Sequence, residues 1–196
     1  MRISGRKALA PAIAGLLLLA LPLAANSASL AARLDEAVLD ELNFARARPA
    51  EYARELRRDL HRSDDPAAVE EAIRFLERQA ALPPLDSDRR VAAAARQHAQ
   101  AQGGRGDVGH GSAGGLGQRL RNQGVWAGLS AENISYGFED ARDVVRQLII
   151  DSGVPSRCHR RNIFATGYQL AGVACGPHRA YGFMCVIDFA GALPPR

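Results

Sequence analysis

Four side chains far apart in the chain, His110, Glu132, Asp151 and His159, are of the types that hold a divalent cation. A neutral imidazole nitrogen suits zinc, and carboxylates orient the imidazoles, ligate, or activate a bound water. Each residue also has a plainer role, since a single histidine usually makes structural hydrogen bonds and a carboxylate near a helix end is usually solvated. The four are separated by 22, 19 and 8 residues, which matches no compact ligand motif, and neither H-E-x-x-H nor C-x-x-C occurs. They become a site only if the fold gathers them.

Other short patterns fail on context. Gly104 to Gly109 spells G-x-G-x-x-G, but a helix precedes it where a dinucleotide fingerprint needs a strand. Arg105-Gly106-Asp107 lies in a glycine-rich stretch and reads as flexible loop rather than as an adhesion sequence. A nucleophile elbow around Ser112 would need glycine at position 110, where His110 stands. Lys7 is the single lysine, so beyond it Schiff-base chemistry and a phosphate-gripping P-loop are excluded.

The positioning elements follow from periodicity and punctuation. Leu30, Leu34, Val38 and Leu42 repeat at helical spacing, and Pro49 both stops that helix and starts the next, to about Leu60. Asp65-Pro66 opens an amphipathic helix carrying Val69, Ile73 and Leu76. Ser87 is expected to cap an alanine-rich helix from Val91 to about Gln102, followed by a long loop from Gly103 to Gln118. The second half predicts a strand over Ser130 to Tyr136, a helix over Asp140 to Ile150, a turn of helix over His159 to Phe164, and a closing hairpin of Gln169 to Cys175 and Tyr181 to Phe189. Helices followed by strands around one helix imply a single α+β domain, with helices covering a small antiparallel sheet. Trp126 and Tyr136 are read as packing residues.

The hairpin also pairs two cysteines. If the runs flanking the turn at residue 180 align, Cys175 faces Cys185, and a non-hydrogen-bonded antiparallel pair brings their side chains within bridging distance. Cys158 is then left as a free thiol.

Disulfide use fits the start of the chain. Arg2, Arg6 and Lys7 precede an uncharged stretch from Ala8 to Ala32 with an apolar core around Ile13 to Leu23 and small residues near Ala28. This reads as an export signal over residues 1–28 and a mature domain over 29–196, with an uncleaved anchor as the lesser alternative. Removing three cations from 25 leaves 22 against 21 acidic residues, a net charge of +1, so a nucleic-acid partner has no electrostatic support. The expected location is secreted or periplasmic, with no transmembrane segment after cleavage.

Several segments resemble one family in order: Leu42 to Pro49, Ala92 to Ala99, Gly109-His110, Ala131-Glu132-Asn133-Ile134, Gly153 to Ile163 and Val186 to Ala190. The set resembles the CAP superfamily of cysteine-rich secretory, antigen 5 and pathogenesis-related proteins, in its compact bacterial form. The resemblance implies an α-β-α sandwich and a cleft of two histidines and two acids, which fall at His110, His159, Glu132 and Asp151. Asp151 stands where eukaryotic members carry glutamate, and Cys158 where glycine is usual. On this reading the protein is a binding domain for a divalent cation such as zinc, held by His110 and His159. A zinc hydrolase of the cell envelope with Glu132 as base, or a carrier of lipid or small apolar ligands, are the alternatives. The partner would be a small molecule, a lipid or an envelope component. Thiol titration of denatured, unreduced protein is expected to find one thiol per chain; three would exclude the Cys175 to Cys185 bond.

Overall fold

A computed structural model describes residues 21–111 and 115–192. The basic start and most of the apolar core of the expected export signal lie outside them. The first helix, α1 (Leu21–Ala47), stops before Pro49, whose fixed φ and missing N–H suit the first position of α2 (Pro49–Arg58). α3 (Pro66–Arg78) opens at Asp65, whose carboxylate accepts the Ala68 N–H at 3.1 Å. A two-residue strand, β1 (Asp86–Ser87), leads into α4 (Arg89–Gly103). Asp88, not Ser87, caps α4, accepting from the Arg90 and Val91 amides, because Ser87 is drawn into the sheet.

The expected loop from Gly103 to Gln118 is shorter than periodicity suggested, since α5 (Gly115–Asn122) occupies its end. Its glycines weaken helix formation by about 1 kcal/mol each. Burial of Leu120 against Val91, Ala94 and Val125, with Leu116 packed alongside, offsets that cost. Then follow β2 (Ser130–Tyr136), α6 (Ala141–Ile150), α7 (Cys158–Ile163), β3 (Leu170–His178) and β4 (Gly182–Ala190).

The strands form one sheet in the order β1-β3-β4-β2. β2, β4 and β3 are antiparallel as expected, while the short β1 runs parallel to β3 and makes the sheet mixed. Alternation along the strands divides the core into two layers. Val173, Ile187 and Phe189 pack under α1, α3 and α6, whereas Ala174, Met184 and Val186 pack under α4. The result is an α-β-α sandwich.

The α4 layer is unusually close to the sheet. A side chain at Gly172 would place its Cβ 2.0 Å from the Ala92 nitrogen and 2.3 Å from the Val91 carbonyl carbon. The alanines of α4 and the bare backbone of Gly172 are thus two halves of one fit. Cys175 and Cys185 stand opposite each other in the β3–β4 register and are bonded, with Cα atoms 4.0 Å apart. The Cys175 N–H points away from β4 and donates to Asp35 of α1 at 2.7 Å, so the outer edge of β3 beyond the short β1 is covered by a helix. Gly172→Ala is expected to cost about 1–3 kcal/mol or more through overpacking, read as a lower urea midpoint. An unchanged midpoint would mean that α4 can slide off the sheet freely.

Candidate functional site

β2 lies at the edge of the sheet, and its neighbouring residues Glu132 and Asn133 point to opposite faces. Glu132 faces the α4 and α5 side, where it accepts the His110 Nδ1–H at 2.8 Å and pairs with Arg119 of α5. Asn133 faces the α6 and α7 side. Its amide donates to the His159 carbonyl at 3.0 Å, and its oxygen accepts from Asn162 at 2.9 Å.

The segment carrying His110 is held through its backbone. The Gly109 N–H donates to the Tyr136 hydroxyl at 2.9 Å, and the Gly109 carbonyl accepts from Gln102 at 2.5 Å and from the buried His98 ring at 3.0 Å. Tyr136 in turn donates to Gln102 at 3.0 Å. Gly109 has φ +88°, a conformation that disfavours a side chain, so a glycine lets the chain present His110. Arg119 adds a bond to the His110 carbonyl at 3.3 Å. Burial is the main cause that lowers the His98 pKa, despite the nearby Glu132 charge.

The second histidine is placed by the junction between α6 and α7. Asp151 ends α6 in the left-handed region at φ +56° and aims its carboxylate at the start of α7. One oxygen accepts the His159 Nδ1–H at 2.7 Å, and the other accepts the His159 and Arg160 amides at 2.9 and 3.4 Å. Asp151 therefore does for α7 what an N-cap side chain does, because Arg157 at the cap position makes no such bond. The shorter aspartate still reaches its histidine. Arg160 donates to the Ile149 and Ile150 carbonyls, Arg157 to the Asp151 carbonyl, and Glu71 of α3 binds both guanidiniums. The last carbonyls of α6 are satisfied in this way, and the junction is fixed.

Both histidines line one cleft of about 830 Å³, together with Tyr136, Phe138 and Asp151. Each ring is held at Nδ1 by a buried carboxylate, which leaves Nε2 for a ligand. Tyr136 thus borders the cleft and positions Gly109 rather than merely packing. Tyr136 does also pack, against the α4-side core, whereas Trp126, 65% exposed, does not.

A family model described as the cysteine-rich secretory protein family, CAP, matches residues 39–189. The chain belongs to the CAP family. A search of curated proteins finds no match. Two solved structures are similar at 22% identity each. One is an extracellular protein containing an SCP domain from Bacillus anthracis str. Ames (TM-score 0.48), covering 65% of this chain and 38% of that one. The other is an outer surface protein from Borrelia burgdorferi (TM-score 0.47), covering 56% of this chain and 79% of that one. The CAP chain described here thus spans about two fifths of the Bacillus anthracis protein. Among its described residues no helix is long and apolar enough to cross a membrane.

Arg119 and Asp188 support this CAP cleft from beneath, through Glu132, and were not legible as site residues. Arg119 sits on α5, whose first half was read as loop. Asp188 faces Glu132 across β4 and β2, is fully buried, and has neither carboxylate oxygen bonded to a hydrogen-bond donor among the described residues. Burial, reinforced by the Glu132 charge, pushes the Asp188 carboxyl well above the usual range. Burial works in the same direction on Glu132, but the His110 hydrogen bond and the Arg119 charge outweigh it and hold that carboxyl low. The pair therefore favours one proton, carried by Asp188.

A folded-state pKa above the unfolded one means that the folded protein binds the extra proton, so this group's contribution to stability declines as pH rises above about 3.9. Asp188→Asn retains a donor toward Glu132 without the ionisation. It is expected to raise Tm at pH 7, by about 2–4 °C per kcal/mol recovered, with the gain vanishing toward pH 4. A variant less stable than wild type at pH 7 would show that the carboxylate form is the native one.

Proposed function

We propose that the protein is an exported CAP binding domain, non-enzymatic or at most weakly enzymatic, whose cleft takes a divalent cation, zinc best matching the donors, through Nε2 of His110 and of His159. The observation that carries this reading is the matched pair of carboxylate-held imidazoles on one cleft, since a ligating histidine characteristically donates its other N–H to a carboxylate or carbonyl. Glu132 and Asp151 fix the tautomer and supply negative charge. The cation itself would contribute positive charge able to gather an anionic group from the medium. Export is supported by the leading basic and apolar segment and by the disulfide.

Binding is favoured over hydrolysis by the state of Glu132. A general base must reach the proton it abstracts, yet Glu132 is buried and already engaged by His110 and Arg119. Carriage of lipid has weaker support, because polar side chains such as Asp59, Asp143 and Arg146 share the cleft walls.

Calorimetric zinc titration tests the proposal. Wild type is expected to bind, His110→Ala combined with His159→Ala to lose binding, and Glu132→Gln to weaken it by about 10- to 100-fold. The Glu132 hydrogen bond raises the His110 pKa above its ordinary 6.5, so proton competition begins above that value and affinity falls steadily on acidification. Equal affinity in wild type and double variant would remove the site.

A further inference from the structure

Cys158 is the cysteine left outside the disulfide, and it opens α7 directly before His159. Its sulfur, a ring nitrogen of His159 and a carboxylate oxygen of Asp151 all lie within 4.8 Å of one another. Zinc sits about 2.3 Å from sulfur and about 2.0 Å from nitrogen or oxygen, so ligand atoms this close need only small side-chain rotations to share one ion. Cys158 and His159 are partly exposed and can make them, while Asp151 is held by its bonds to the start of α7.

We propose that Cys158 is a metal ligand, placing a thiolate beside the His159 imidazole that Asp151 orients, in a cation site that selects zinc-class ions over magnesium and calcium. The proposal rests on the cation reading of the cleft and goes beyond it by naming a sulfur donor and the selectivity that follows. Thiolate and imidazole are soft or borderline donors, suited to zinc or cobalt(II), whereas magnesium and calcium require six or more oxygen ligands. A sulfur and an imidazole nitrogen, with the neighbouring carboxylate engaged by the ring and the α7 amides, meet the first demand and not the second. As the sulfur–metal bond forms, the thiol proton leaves to solvent, so uptake releases a proton that a site of neutral imidazoles alone would not release.

The test is cobalt(II) titration of the full chain, followed by absorption, in parallel with zinc calorimetry on wild type and Cys158→Ser. The expected results are a sulfur-to-cobalt charge-transfer band in wild type, absent in the variant, and zinc affinity lowered about tenfold or more by the substitution. A second measurement needs no variant: zinc should protect Cys158 of the wild type from alkylation by iodoacetamide, and calcium should not. Cobalt bound without the charge-transfer band, with equal zinc affinity in both proteins, would overturn the role of Cys158 and leave the histidine site standing. No uptake of either metal by wild type would overturn both readings, and protection by calcium equal to that by zinc would overturn the selectivity.

Discussion

The two-residue alternation of β2 is the constraint on which the cleft depends. Because successive strand residues point to opposite faces, Glu132 and Asn133 reach two different helical layers from one edge strand. Glu132 binds the histidine supplied after α4, and Asn133 binds the backbone of the histidine in the first turn of α7. A slip of one residue in the β2–β4 register would exchange the two faces and undo both attachments together. The sheet is therefore the gauge that sets one half of the cleft against the other.

The two halves are built from different physics. Around His110 the determinants are buried and polar: Arg119, Glu132, Asp188 and His98 form a cluster in which removal of Arg119 or Glu132 leaves its ionic partner uncompensated. Breaking such a buried pair typically costs about 3–5 kcal/mol. Around His159 the determinants are the unpaired ends of two helices. Arg157 and Arg160 serve the carbonyls of α6, and Asp151 serves the amides of α7. That half is anchored by backbone groups that need partners in any case.

Much of this was legible in the sequence, for identifiable reasons. Pro49, Asp65, Asp140 and the alternating closing strands are local signals, and each produced the expected boundary to within two residues, except that β3 runs three residues beyond Cys175. The facing cysteines followed from hairpin symmetry. α5 was hidden because glycine content lowers helix propensity, whereas the burial that offsets it is tertiary. β1 was too short for any pattern, and its parallel pairing with β3 depends on where α4 starts. His110, Glu132, Asp151 and His159 could be named from their types and order, but Arg119 and Asp188 could not. An arginine beside glycines and an aspartate within an apolar strand give no hint of a shared burial until the strands are paired.

The contact between Asp35 and the Cys175 amide bears on how much of the chain's beginning is dispensable. Exposed strand edges recruit other strands, and β3 has its outer rim shielded over only two residues by β1. α1 closes the remainder. Trimming upstream of Asp35 leaves that shield intact, whereas trimming past it uncovers a row of backbone donors and acceptors beside the disulfide. The N-terminal limit for a fragment with its β3 edge covered thus lies just ahead of Asp35, and shorter forms would expose that edge to intermolecular β-pairing.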